Sequence, residues 1–96
     1  MRYEIVLLEP AQEDIQRFGK YDQAVILDAL ERFLRHAPTQ VSRSRIKRLR
    51  GLQQAQYRLR VGTEIRVFYQ VEGQQVLVVR VMTKRETMEF YREEEP

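Results

Sequence analysis

Alternation of apolar and polar side chains predicts four β-strands, one near the start of the chain and three in its second half. The first strand covers residues 3–8, and the later three cover residues 56–61, 64–71 and 75–82. Gly62 and the pair Glu72-Gly73 stand at turn positions between the later segments. The three later strands are therefore expected to form an antiparallel meander.

Helical spacing replaces this alternation between the first strand and the meander. Pro10 stands where a first helix would begin, and Gly19 marks its end. A second helix is predicted from about residue 21 to residue 35, because apolar residues recur there at intervals of three and four. The basic stretch 41–52 is expected to be a loop. The predicted fold is α+β, with an N-terminal strand, a two-helix hairpin, a three-stranded antiparallel meander (β-α-α-β-β-β) and a short C-terminal segment.

Length and composition limit the classes of protein. A chain of 96 residues has material for one hydrophobic core, so residues 1–96 are expected to form one domain. The absence of cysteine excludes disulfides and thiolate metal ligands, and no metal or cofactor is expected. The longest apolar runs are four residues, whereas a membrane span needs about 20. No signal-peptide pattern opens the chain, so a cytoplasmic location is expected.

The net charge of +3 conceals a strong segregation along the chain. Residues 1–31 hold three basic and seven acidic side chains, whereas residues 32–63 hold nine basic side chains and no acidic one. Fourteen of the seventeen cations are arginine, whose planar guanidinium suits phosphate and can stack on bases. This distribution favours an anionic partner, and among such partners RNA.

Strand parity gives three of the arginines a defined place. Arg58 and Arg60 alternate with apolar residues that must face the helices, and Arg66 holds the same position on the next strand. Any register that keeps the apolar residues of both strands on one face sets Arg66 opposite Arg58 or Arg60. Like charges directly opposed across strands destabilise a sheet, so the pattern indicates an anion bound between them.

A second group of cations falls in the predicted loop. Its members are Arg43, Arg45, Lys47, Arg48 and Arg50. On a mobile segment without fixed geometry, these side chains are expected to make diffuse, salt-dependent contacts with RNA or the ribosome.

Three segments of the second half carry a family pattern: Leu49-Arg50-Gly51-Leu52, Tyr57-Arg58-Leu59-Arg60-Val61-Gly62 and Ile65-Arg66-Val67-Phe68-Tyr69. They resemble the toxins of the RelE/ParE superfamily of type II toxin–antitoxin modules. The C-terminal Lys84-Arg85-Glu86 with Tyr91 resembles the RelE branch. The resemblance implies a ribosome-dependent endoribonuclease, or mRNA interferase, that inhibits translation. Its implied partners are mRNA, the ribosome with its rRNA, and a cognate antitoxin, with no membrane and no small-molecule cofactor.

The resemblance also assigns catalytic roles, to Arg58, Arg60, Arg66, Arg85 and Tyr91. Metal-free RNA cleavage needs a proton acceptor for the ribose 2′-hydroxyl, cations around the phosphate and stabilisation of the leaving oxygen. The three strand arginines fit the phosphate, Arg85 the leaving group, and Tyr91 the role of base or stacking partner. Lysine is common in the family at the positions of Arg58 and Arg60; arginine does not lose its proton, so neither is the base.

Other functions remain open from the sequence. A ParE-like toxin, which poisons DNA gyrase, shares the scaffold without the arrangement of Arg85 and Tyr91. A catalytically inactive module that binds RNA or an antitoxin is a further alternative. The family often has a glycine before the final basic pair, where this chain has Met82-Thr83. For the strand arginines, the alternative is a solvated sheet face with surface ion pairs.

Overall fold

The chain folds into a five-stranded mixed sheet with two helices on one face and a third on the other. The computed structural model describes the backbone of residues 2–94 and the side chains of residues 2–90. The strands are β1 (Glu4–Leu7), β2 (Ile46–Arg48), β3 (Tyr57–Val61), β4 (Ile65–Glu72) and β5 (Gln75–Thr83). The helices are α1 (Glu9–Gln16), α2 (Lys20–Ala29), which continues into a π-helical turn (Leu30–Leu34), and α3 (Lys84–Glu94). The predicted α+β class is confirmed, as is the order of a strand, two helices and a three-stranded meander; the structure adds the strand β2 and the helix α3.

The strands lie in the order β1-β5-β4-β3-β2. β1 is parallel to β5, and the other neighbours are antiparallel. The meander turns at Gly62 and Gly73 have φ values of 62° and 58°, a region that glycine enters without steric cost. A register shift between Phe68 and Tyr69 marks a β-bulge in the β4–β5 pair, which locally increases the twist of the sheet.

The main core lies between the sheet and the α1–α2 hairpin. Ile26 and Leu34 from the hairpin are fully buried against Leu59, Val67 and other inward-facing residues of the strands. α1 is also held by Asp14, a buried carboxylate that accepts hydrogen bonds from the Arg80 guanidinium at 2.7 and 3.0 Å. Apolar burial and this ion pair together fix the hairpin on one face of the sheet.

The opposite face of the sheet is covered by a second apolar cluster, whereas the sequence predicted a short C-terminal segment without a defined packing site. Phe68 and Met82 alternate with the core residues and so point away from the hairpin. They are buried by Phe90 of α3 and by Leu49 and Ala55 of the connection before β3. Because α3 packs on this face, part of what was expected to be solvated sheet becomes interior.

The expectation that residues 41–52 form a loop was wrong in its central part. Ile46–Arg48 pairs with β3 as the edge strand β2, with Ile46 opposite Leu59. Ile46 is buried in the main core, and this burial fixes a segment that the sequence analysis treated as mobile. No helix among the described residues is long and apolar enough to cross a bilayer.

Candidate nucleic-acid interface

Two pairs of cations oppose each other across the outer face of the sheet. The β3–β4 register sets Leu59 opposite Val67 and therefore Arg60 opposite Arg66, which confirms the predicted pairing of strand arginines. The β2–β3 register adds a pair that was not anticipated, Lys47 opposite Arg58. Directly opposed like charges cost a sheet on the order of a few tenths of a kcal/mol or more per pair. The fold holds this positive charge on strands, in positions set by main-chain pairing.

An open groove of about 390 Å³ lies where the outer sheet face meets the first turns of α3. We call it the α3 groove; its lining residues are Arg58, Glu64, Arg66, Lys84, Arg85, Thr87 and Met88. Four of the seven are cations, and Glu64 is the sole carboxylate among them. The groove therefore brings together Arg58, Arg66 and Arg85, three of the predicted catalytic residues.

Arg66 occupies the floor of this groove and is only 6% exposed. Its Nη1 donates a hydrogen bond to the carbonyl oxygen of Ile65 at 3.0 Å. The α3 cover explains why Arg66 is buried although strand parity points it away from the main core. Arg85, by contrast, is exposed at the rim. A phosphate in the groove would therefore meet a fixed arginine below and a more mobile one at the edge.

The first turn of α3 is pinned by a reciprocal capping box. The Thr83 hydroxyl accepts the backbone N–H of Glu86 at 3.2 Å, and Glu86 Oε1 accepts the backbone N–H of Thr83 at 2.9 Å. Arg17 Nη2 of α1 lies 3.8 Å from Glu86 Oε2. Thr83 is therefore the residue that caps the start of α3, in the turn that carries Arg85. The Thr-x-x-Glu spacing of residues 83–86 is a sequence signal for this cap, and it was not among the sequence-based predictions.

A smaller basic cavity of about 90 Å³ lies on the other side of β3. We call it the β2 pocket; its lining residues are Ser42, Arg43, Ser44, Arg45, Ile46, Lys47, Arg58 and Arg60. Arg58 lines both the β2 pocket and the α3 groove. Arg60, predicted to act with Arg58 and Arg66, lies in this pocket, and its Nε donates to the carbonyl oxygen of Gly62 at 3.3 Å.

The cations of residues 41–52 do not behave as one diffuse group. Arg43, Arg45 and Lys47 line the β2 pocket. Arg48 turns toward the helical face, with its guanidinium 5.0 Å from the centre of the Tyr57 ring and Nη1 donating to the Gln56 carbonyl at 2.8 Å. Arg50 is exposed and lines neither cavity. The structure therefore gives three of these five cations a common and defined location.

The remaining predicted site residue, Tyr91, lies outside the described side chains; only its place in the backbone of α3 is known. Its role as base or stacking partner stays a prediction. Among the described residues, no three His, Asp or Glu side chains form a cluster that could hold a metal ion.

The sheet, the helical hairpin and the cation-lined outer face define a small α+β protein with a concentrated positive surface. The profile of the ParE toxin family of type II toxin–antitoxin systems (parDE) matches residues 5–88. The chain belongs to this family and is a toxin of the RelE/ParE fold. No curated protein sequence matches the chain significantly.

Three solved structures of similar fold are toxin–antitoxin complexes. The RelBE2 complex of Mycobacterium tuberculosis has a chain with a TM-score of 0.71 and 20% identity, covering 88% of this chain and 100% of that one. The archaeal RelE–RelB complex of Pyrococcus horikoshii has a chain with a TM-score of 0.68 and 20% identity, covering 88% of this chain and 97% of that one. The RelB–RelE complex of Methanococcus jannaschii has a chain with a TM-score of 0.67 and 17% identity, covering 90% of this chain and 98% of that one. At these identities the similarity shows a shared fold.

Proposed function

We propose that this toxin is a RelE-like, ribosome-dependent endoribonuclease that cuts messenger RNA and is neutralised by a cognate antitoxin protein. The α3 groove carries the proposal, because it gathers Arg58, Arg66 and Arg85 around one space with a single carboxylate. The antitoxin partner is supported by the structural neighbours, whose RelE chains were solved together with RelB. RNA fits the excess of arginine over lysine and the absence of acidic residues between positions 32 and 63.

The chemistry proposed for the groove is transesterification without a metal ion. The ribose 2′-oxygen forms a bond to the adjacent phosphorus while the bond from phosphorus to the 5′-oxygen breaks, giving a 2′,3′-cyclic phosphate and a 5′-hydroxyl. Arg58 and Arg66 stabilise the extra charge on the phosphoryl oxygens, and Arg85 faces the leaving 5′-oxygen, which takes its proton from water. Preorganised donors of this kind are each worth on the order of 10²–10³ in rate.

Two residues compete for the role of proton acceptor. The sequence pointed to Tyr91, and the structure adds Glu64, the carboxylate that lines the α3 groove. Glu64 is held in place at the backbone, because its carbonyl accepts the Lys84 N–H at 2.6 Å. Glu64→Gln keeps the shape and removes the basic site, whereas Tyr91→Phe keeps the ring and removes the hydroxyl. The variant that lowers the rate and flattens its dependence on pH identifies the acceptor.

The deciding experiment is induced expression followed by mapping of transcript ends, with the native protein compared with Arg85→Ala and Tyr91→Phe. We expect new 5′-hydroxyl ends within translated messages, absent from untranslated ones, and a loss of cleavage on the order of 10²-fold for Arg85→Ala. Purified ribosomes stalled on a defined message provide the same comparison in vitro. Intact messages during growth arrest would refute the endoribonuclease.

Gyrase poisoning is the second candidate, and the match to the ParE toxin profile favours it. In that case the basic surface would contact gyrase or its DNA, and no RNA would be cut. Supercoiling of a reporter plasmid, measured in the same induced cultures, separates the two functions. Relaxed plasmid with intact messages supports gyrase poisoning, whereas normal supercoiling with cleaved messages supports the endoribonuclease. Neither effect, in a protein that still binds RNA, would indicate an inactive binding module.

A further inference from the structure

The β2 pocket has the composition of an anion site. Five of its eight lining residues are cations, two are serines, and none is acidic. Its volume of about 90 Å³ is much smaller than the 390 Å³ of the α3 groove. The smaller space suits a group the size of phosphate better than a whole nucleoside. The size and charge together point to a single oxyanion.

Part of the pocket wall, formed by Ser42 and Arg45, is held by contacts within the protein. The Ser42 hydroxyl accepts the backbone N–H groups of Arg45 and Ile46 at 3.1 and 3.3 Å, which closes the turn that leads into β2. The Arg45 guanidinium lies 4.6 Å from the centre of the Phe33 ring and donates from Nη1 to the Arg60 carbonyl at 3.4 Å. A site whose donors are held in this way loses little conformational entropy on binding.

Arg58 connects this pocket to the α3 groove. Its side chain lines both cavities, and its Nε is buried without a hydrogen-bond partner in the structure. A buried polar atom left unsatisfied costs about 1–3 kcal/mol. The main-chain ladder also holds Lys47 directly opposite Arg58. An anion beside these two cations would relieve their repulsion and give the guanidinium an acceptor.

We propose that the β2 pocket binds a backbone phosphate of a single-stranded RNA whose scissile phosphate lies in the α3 groove, so that the strand crosses β3 at Arg58. The choice of RNA rests on the proposed function; the anion site rests on the pocket alone. The pocket sets where along the strand the cleaved phosphate falls, because it fixes a second phosphate at a constant distance from the groove. Apart from Arg58, which also lines the α3 groove, the residues of the pocket position the strand and take no part in bond breaking.

The first test uses inorganic phosphate, added at constant ionic strength against chloride. We expect saturable changes in the amide chemical shifts of residues 42–47 and 58–60. The double variant Arg43→Gln/Lys47→Gln removes two exposed cations of the pocket and is expected to weaken phosphate binding at least tenfold. The matched control, Lys20→Gln/Arg32→Gln, removes two exposed cations of the helical hairpin and should bind as the native protein does. Equal affinity in both double variants would overturn the anion site.

The second test uses a single-stranded oligonucleotide with 2′-O-methyl groups throughout, which cannot undergo attack by the 2′-oxygen. Each phosphate contact with single-stranded nucleic acid contributes about 0.7 to the slope of log affinity against log salt. We therefore expect the pocket variant to lower this slope by about 0.7, with the hairpin control unchanged. A slope equal to that of the native protein would show that the RNA does not reach the pocket.

The results also separate this proposal from the proposed function. Weaker phosphate binding and a lower salt slope in the pocket variant, together with a native protein that cuts no message, would support the pocket and refute the endoribonuclease. Native cleavage with unchanged cut positions in the pocket variant supports the endoribonuclease and refutes the positioning role. Cleavage that persists at shifted or scattered positions is the result expected from both proposals together.

Discussion

The capping box at the start of α3 makes a sharp prediction about the site, because it controls the helical turn that carries Arg85. Thr83→Ala removes the hydroxyl that accepts the Glu86 N–H. It leaves the apolar contacts of α3 in place, including Phe90 with its ring centre 4.7 Å from that of Phe68. The substitution therefore tests the cap without emptying the second cluster.

The expected size of the effect follows from the loss of one N-cap. Replacing a Ser or Thr cap by Ala costs typically about 1 kcal/mol, within a range of about 0.5–2 kcal/mol. Among the described side chains of α3, only Thr87 and Phe90 are buried. The helix is therefore expected to open locally before the sheet unfolds. A change of about 1 kcal/mol raises the open population about fivefold.

Amide hydrogen exchange followed by NMR measures this population directly. Exchange at residues 86–90 should become about fivefold faster in Thr83→Ala, while the central amides of β4 keep their native rates. Thr83→Ser retains a capping hydroxyl and should stay close to the native rates. Glu86→Gln retains an acceptor for the Thr83 N–H but loses the charge facing Arg17, so only Glu86→Ala should match Thr83→Ala in effect.

Two results would refute this reasoning. Unchanged exchange in Thr83→Ala would mean that packing alone holds the first turn of α3. Equal acceleration by Thr83→Ser and Thr83→Ala would mean that the change acts through the end of β5 and not through the cap. If the endoribonuclease is correct, RNA cleavage should fall in the same order as helix protection, because Arg85 moves with that turn.

Three further substitutions test the scaffold. Asp14→Ala breaks the buried ion pair with Arg80 and should lower the free energy of unfolding by about 3 kcal/mol. This value is near the lower end for such pairs because Arg80 is partly exposed. Urea unfolding measures the loss, and the exposed neighbour Glu13→Ala should stay within about 0.5 kcal/mol of native. Tyr69→Phe removes a hydroxyl that donates to the Pro38 carbonyl at 2.6 Å, and thermal unfolding should show a loss of about 1–3 kcal/mol. Burial raises the pKa of that hydroxyl, so the loss should be the same at pH 7 and pH 9. Phe90→Ala should lower the free energy of unfolding by about 3 kcal/mol if α3 stays packed on the sheet. If α3 instead detaches, its amide hydrogens should exchange fully while the rest of the protein stays folded.

Sequence periodicity was sufficient for the elements that carry a strong pattern. The strand alternation around Leu59 and Val67 predicts which face of each strand meets the helices and places Arg66 opposite Arg58 or Arg60; the structure selects Arg60. This argument needs only parity and an apolar core, both of which are present in one sequence. The outward orientation of Arg58, Arg60 and Arg66 could therefore be predicted from the sequence alone.

The edge strand β2 could not be predicted from sequence periodicity in the same way. Three residues are too few to show a period, and a single buried residue, Ile46, stands between basic neighbours. Its pairing depends on the position of β3, which is distant in the sequence. The β2 pocket depends on this pairing, so the common location of Arg43, Arg45 and Lys47 appears only in three dimensions.

The sequence contains an indication of the second cluster, although it lies among polar residues. Phe68 lies on the same strand face as Arg66, and a large apolar residue on a face assigned to solvent indicates a cover. Phe90 was available to provide it from the C-terminal segment, and Thr83 with Glu86 marked the helix that presents it. The burial of Arg66 follows from that cover, and the only sign of it on the same strand is Phe68.

The arrangement of cations also explains why the scaffold is built as it is. Opposed pairs such as Arg60 with Arg66 and Lys47 with Arg58 reduce the stability of the sheet, and they do so in every state without a bound anion. The opposing contributions come from the other face, where the hairpin is held by a continuous core. An anion that binds between the cations removes their repulsion, so its binding and the stability of the fold are thermodynamically linked. Phosphate should therefore stabilise the native toxin against heat, and less so when Arg43 and Lys47 are neutralised, whichever macromolecule supplies that phosphate in the cell.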